Sequence, residues 1–137
     1  MAPIGPSGGG PVGSSNSFVG AQQALELVGN HAYAYNFQTV NAATVTFFEF
    51  TTGNYYFVGT LGGGRNMKSG AETECTIEFN DGQVFFSKWD NGAGQTLVMP
   101  MAAPLPLIIP AYTKVKIILE NDTTDNIALI IAGRIYR

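Results

Sequence analysis

Apolar residues recur with a period of two near the C-terminal end, and this constrains the fold more than any other feature. In Lys114–Glu120, Val115, Ile117 and Leu119 fall on one side and Lys114, Lys116 and Glu120 on the other. In Ile127–Tyr136, Ile127, Leu129, Ile131 and Ile135 share a side. A period of two belongs to a strand with one face in a core, not to a helix. The polar run Asn121–Asn126 turns one strand into the other. Upstream, Tyr33–Thr39, Thr44–Phe50, Tyr55–Leu61, Glu72–Phe79, Gln83–Lys88 and Gln95–Met99 read as further strands. Thr51–Asn54 and Asn80-Asp81-Gly82 break them; Asn and Asp before Gly tolerate the positive φ of a tight hairpin. Residues 22–26 read as one helical turn or a first strand. With no long helical pattern, the expectation is an all-β chain. About eight antiparallel strands fit a jelly-roll-like β-sandwich of two sheets. An immunoglobulin-like sandwich is the rival, but it carries its Trp on an early strand, and Trp89 comes late.

The 137 residues make one domain with a core large enough to need no staples. Only 12% of them are charged, about half the usual share, against 45% hydrophobic. So few charges predict that much of the surface meets protein rather than water. The net charge of −3 and the absence of Lys and Arg before Arg65 argue against nucleic acid, whose phosphates need a basic stripe. Cys75 is the only cysteine, so no disulfide forms within the chain; it is expected as a small buried hydrophobe. No apolar run is long enough to cross a membrane as a helix, and the start lacks the pattern of a signal peptide. Synthesis in a host cytoplasm is the expectation.

Residues 1–20 form a separate region from the single β-sandwich domain expected over 21–137. They hold six Gly, three Pro and four Ser, and no charge. Such a segment cannot bury enough apolar surface to offset its own ordering entropy. It is expected to act as an extended arm that lies along a partner, touching it with Pro3, Ile4, Pro6, Pro11, Val12, Phe18 and Val19.

Two further stretches call for a partner. Tyr33–Phe57 contains nine of the sixteen aromatic residues and one charge, Glu49. Phe47-Phe48, Tyr55-Tyr56-Phe57 and Phe85-Phe86 are consecutive, so in a flat strand they point to both faces. Phe47, Phe48, Tyr55 and Tyr56 are therefore candidates for an oligomer interface. Met99–Pro110 holds four of the seven prolines and no charge. Proline removes ladder donors, so this is a stiff loop or an edge segment. Its Met99, Met101, Leu105 and Leu107 join the interface candidates. Leu61–Gly70 reads as a mobile loop whose Arg65 and Lys68 dock on an acidic partner. It is no phosphate loop, since no GK[ST] follows.

Enzymatic chemistry is poorly represented, and no catalytic residue, metal ligand or cofactor is assigned. His31 and Cys75 lack the flanking residues of a nucleophile motif. Glu120, Asp122 and Asp125 match no calcium-loop spacing, and Asx residues also make turns for backbone reasons. Glu72, Glu74 and Glu78 alternate as an outward polar face rather than a hydrolytic pair. Trp89, Asp90 and Asn91 allow a sugar platform.

The Pro-led strand IIPAYTKVKIILEND and the final strand ending in GRIY resemble the C-terminal strands of small jelly-roll capsid decoration (cement) proteins of tailed bacteriophages. The resemblance implies a non-enzymatic virion protein, usually a homotrimer, with a Gly/Pro/Ser-rich arm. It would bind the major capsid protein on the outside of the shell and stabilise it. The alternative is the trimeric receptor- or carbohydrate-binding head of a phage fibre or spike.

Overall fold

The computed structural model describes residues 24–67, 72–90, 97–100 and 104–137. Every regular element among them is a strand. In chain order these are β1 (Glu26–Val28), β2 (His31–Asn41), β3 (Thr44–Thr51), β4 (Tyr56–Met67), β5 (Glu72–Phe79), β6 (Gly82–Asp90), β7 (Leu97–Pro100), β8 (Leu105–Ile109), β9 (Lys114–Asn121) and β10 (Thr124–Tyr136). They form two antiparallel sheets. One runs β1-β2-β10-β4, with β7 and β8 both paired to the far edge of β4; the other runs β3-β9-β5-β6. Without the short β1 and β7, the orders are β2-β10-β4-β8 and β3-β9-β5-β6. That interleaving of chain-distant strands is the jelly roll.

The alternation at the C-terminal end does what it predicts. Val115, Ile117, Leu119, Ile127, Leu129, Ile131 and Ile135 are all buried between the sheets. The hairpin at residues 80–82 forms with Asn80 at φ 50° and Asp81 at φ 68°, the paired positive values of a type I′ turn. Its Asn80 accepts from the Lys114 backbone N–H through Oδ1 at 2.9 Å, which ties the hairpin to the start of β9. The β3–β4 turn is fastened to the β8–β9 turn through the buried Thr52. Its hydroxyl donates to the Pro110 carbonyl at 2.8 Å and accepts from the Thr113 N–H at 3.0 Å.

Three expectations change. Phe47 and Phe48 do not point to opposite faces: both are fully buried. The β3–β9 register passes from Thr46↔Ile118 to Phe48↔Ile117, so Phe47 is the extra residue of a β-bulge. Asn36 of β2 reaches across and donates to the Phe47 carbonyl at 2.8 Å, satisfying a group the bulge takes off the ladder. Residues 61–67 are not loop but the second half of β4, with Arg65 paired in register to Ile127 and to Met99. The prolines of 99–110 do lie at a sheet edge, but Leu105–Ile109 is a true strand, β8, and Leu107 is buried in the core.

Candidate interaction surface

Because the strands are antiparallel, residues opposite each other in register share a face. On the β2-β10-β4-β8 sheet the outward rows are Phe37–Ala128, Tyr35–Ile130–Gly62, Tyr33–Ala132–Thr60–Pro106, His31–Arg134–Val58–Ile108 and Tyr136–Tyr56. Phe37 and Ile108 are 64% and 66% exposed, Tyr56 and Tyr136 each 51%, Val58 41% and Ile130 40%. Isolated exposed apolar side chains are ordinary; a contiguous set spanning four strands is not. In the middle of the face, Ala128, Ala132 and Gly62 surround the exposed Ile130. Tyr33 and Tyr35 lean together, ring centroids 5.3 Å apart. Desolvation, with the Glu26 carboxylate and Tyr35 beside it, holds the Tyr33 phenol above its ordinary pKa. Glu26 joins the face from β1, opposite Tyr33. Among the described residues, Glu26 and Arg134 are the carboxylate and the strong base set in these rows.

This sheet admits no side chains at certain crossings. Gly133 lies opposite Gly59, where a methyl on Gly133 would sit 2.3 Å from the Val58 carbonyl oxygen and 2.5 Å from the Gly59 Cα. Backbone fills the space on both strands, so β10 and β4 pair without a side chain between them.

The outward face of the second sheet differs. Glu49, Lys116 and Glu78 stand in one row across β3, β9 and β5; Glu120, Glu74 and Lys88 stand in another across β9, β5 and β6. Lys88 Nζ lies 3.3 Å from Glu72 Oε2, and Lys114 Nζ 3.3 Å from Asp81 Oδ1. Glu72, Glu74 and Glu78 thus form the outward polar face that their spacing predicts.

The interface candidates divide. Tyr56 is on the apolar outer face. Tyr55 and Leu105 are half-buried and pack against the core. Phe47, Phe48 and Leu107 are core residues, so a subunit interface cannot use them while the chain is folded. Met99 and Arg65 lie on paired backbone at the β4–β7 crossing. Met101, Lys68 and the arm residues Pro3, Ile4, Pro6, Pro11, Val12, Phe18 and Val19 lie outside the described residues. Phe37, Val58, Ile108, Ile130 and Tyr136 are not among the sequence candidates. Their signal is present all the same: Tyr33, Tyr35 and Phe37 alternate with Ala34 and Asn36, and the outward positions of Ile127–Ala132 are Ala128, Ile130 and Ala132 rather than charges.

The chemical candidates do not converge. His31 is exposed on the outer face beside Arg134, whereas Cys75 lies between the sheets, its thiol pushed up by burial to about 12. A thiol so placed stays protonated and inert. Glu120 accepts from the Thr44 hydroxyl at 3.1 Å, and Asp122 from the Glu72 backbone N–H at 2.9 Å. Asp125 accepts from the Thr123 hydroxyl at 2.7 Å and the Asn121 amide at 3.3 Å. These carboxylates knit a turn, and no grouping of potential metal ligands occurs among the described residues.

No protein-family model matches the chain, and no curated protein matches it. Among solved structures it is similar to infectious bursal disease virus, Gx strain, at 16% identity and TM-score 0.37, over 72% of this chain and 32% of that one. The VP2 subviral particle of the same virus is similar at 15% identity and TM-score 0.36, over 74% and 33%. The Gt strain gives 17% and 0.34, over 75% and 30%. The chain spans about a third of the length of these proteins. At such scores the likeness carries no weight, and the jelly-roll assignment rests on the strand order.

Proposed function

We propose that this chain is a structural protein of a virion, a decoration protein that binds the outside of the major capsid shell and stabilises it. The outer face of the β2-β10-β4-β8 sheet carries the proposal. A sandwich with one wall almost free of charge is suited to burial against protein. The fold alone does not choose the role, since jelly rolls also serve as lectins and cupins. The uncharged sequence of residues 1–20 supports the choice. Extended, it spans on the order of 60 Å, enough to cross a boundary between shell subunits. The mechanism is mechanical: each Å² of apolar surface buried across such a boundary contributes about 25 cal/mol against its opening.

Co-sedimentation tests this. Purified chain is mixed with empty shells of its virus assembled without it, and the shells are pelleted. The full chain is expected to pellet, and to remain bound in 1 M NaCl because screening acts little on apolar contacts. Deleting residues 2–20 is expected to abolish pelleting while the β domain stays folded by circular dichroism. Unchanged binding after the deletion would overturn the arm's role. No binding by the full chain, with glycan binding that Trp89→Ala removes, would replace the proposal by the fibre-head alternative.

A further inference from the structure

We infer that residues 18–23 of this chain dock as a strand along the open edge of β2, in the register that β1 begins. β2 has 11 residues, and β1 covers only residues 31–33 of it. Beyond that point, among the described residues, no strand lies on the side of β2 away from β10. One bond fixes the direction of its backbone groups. The Ile135 N–H donates to the Asn30 carbonyl at 2.9 Å, so the even-numbered positions of β2 face β10. The odd-numbered positions face the other way, and the N–H and C=O of Phe37 and Thr39 open onto the edge.

The other edges of the sandwich are blunted. β3 has the bulge at Phe47, whose carbonyl is taken by Asn36, and the exposed Glu49. On β6 the register passes from Ile77↔Phe85 to Glu78↔Gln83, which makes Val84 a bulge, and the exposed Lys88 follows. β8 has Pro106. Bulges, charges and proline keep foreign strands off an edge. Residues 36–41, NFQTVN, contain none of them, and their register with β10 runs without a break. An edge left in that state is one that something covers.

Position and pattern select the occupant. The chain enters β1 at Glu26, opposite Tyr33. Continued upstream, the same register sets Gln22 opposite Phe37 and Gly20 opposite Thr39 as hydrogen-bonded pairs. Val19 then falls opposite the buried Val40, and Ala21 opposite Gln38, on the inward side where Leu25 and Leu27 pack against the core. Gln23 falls opposite the polar Asn36. Apart from Gln23, the inward positions Val19, Ala21, Leu25 and Leu27 are apolar with the period of two that a strand over a core needs. The segment has no proline and no charge. Ala24 is exposed at a bend, and docking straightens the chain there. Residues 2–17 then leave the sandwich beside Asn41, at the end of β2 far from β1, whether or not a shell is present.

Amide hydrogen exchange of the full chain, followed by NMR without any shell, tests this separately from shell binding. The Phe37 and Thr39 amides are expected to exchange at least about tenfold more slowly than in Gln22→Pro, which removes an N–H that faces the edge and sets a ring against it. Gln23→Pro, where the lost N–H points away from β2, is expected to keep most of that protection. The Gln38 and Val40 amides, which face β10, should be alike in all three proteins and report that the domain is folded. If Phe37 and Thr39 exchange as fast in the full chain as in Gln22→Pro, the inference is overturned. Equal loss in the two proline variants overturns the register. Protection that grows with protein concentration assigns the edge to a second copy and overturns the inference too. If Gln22→Pro unfolds the domain, oxidation of the Ala21→Cys, Gln38→Cys double variant decides. These positions form a close pair in the stated register, so a disulfide within one chain is expected. No disulfide, or one between chains, overturns the inference.

Discussion

The two outer walls of this sandwich are made by the same alternation and have opposite chemistry. Behind each wall the inward residues are mostly apolar and buried: Val, Ile, Leu and Phe, with Ala32 and Ala34 on one sheet and Cys75 on the other. In front, β3-β9-β5-β6 sets Glu and Lys side by side, with Ile118 in an outward row and Val84 and Phe86 exposed on its edge strand, whereas β2-β10-β4-β8 shows aromatic rings, Ile, Val and Ala. The inward set is what folding requires, because it supplies the apolar burial. The outward set is free to vary, so it records what each wall meets. A wall of mixed charges is solvated at little cost; a wall of rings and aliphatic groups gains free energy when it exchanges water for protein.

The largest expected effect tests whether inward and outward positions differ as described. Phe48→Ala and Phe47→Ala should each cost about 3–5 kcal/mol, the range for emptying a buried aromatic site. Phe37→Ala, on the apolar outer wall, should cost less than about 1 kcal/mol. Urea denaturation measures all three at a concentration where the chain is monomeric. Near-equal losses at Phe47 and Phe37 would break the comparison, and with it the bulge that turns Phe47 inward.

A smaller contrast sets one sheet against the other. Gly133→Ala drives a methyl into the Val58 carbonyl and should cost about 3 kcal/mol, as in an overpacked core. Gly82→Ala on β6 first meets the Phe79 carbonyl at 3.5 Å, an ordinary contact, and should change stability by less than about 0.5 kcal/mol. The midpoints of urea unfolding give both values. A tolerated Gly133→Ala would mean that β10 and β4 can move apart.

The smallest effect concerns the charged wall. Lys88 and Glu72 are both well exposed, so Lys88→Ala should cost no more than about 0.5 kcal/mol, and nothing in 1 M NaCl. A loss above 1 kcal/mol that survives salt would show that these rows bear on stability rather than on solvation alone.

Much of this architecture is legible in the residues. Tight turns announce themselves through Asn80-Asp81-Gly82, and half-buried strands through the spacing of Val115, Ile117 and Leu119, because those signals are local. What stays hidden depends on a partner strand. Phe47 and Phe48 look like residues on two faces until the register with β9 inserts a bulge, and neither strand alone encodes that register. Gly62, Gly63 and Gly64 read as a loop because glycine carries no alternation. Their place in a strand follows from the backbone of β10, which comes within 2.1 Å of where a Gly63 methyl would lie. Pro106 masks β8, since only pairing with β4 shows which of its edges is free. The apolar wall is visible only when β2, β10, β4 and β8 are laid side by side, for its rows join residues as distant as Tyr33, Thr60, Pro106 and Ala132.

The position of β10 has a consequence for biosynthesis. It comes last in chain order among the described strands, yet it is hydrogen-bonded between β2 and β4 in the middle of its sheet. At roughly 5–20 residues per second, the stretch of about 80 residues from the end of β2 to the start of β10 takes on the order of 4–16 s to make. Throughout that interval Tyr35 and Phe37 belong to a strand whose central neighbour does not yet exist. Nascent chains on one polysome would present these unpaired edges to each other. The sheet that bears the apolar wall is therefore completed only once β10 has been made, and the yield of folded protein depends on how well that wait is chaperoned.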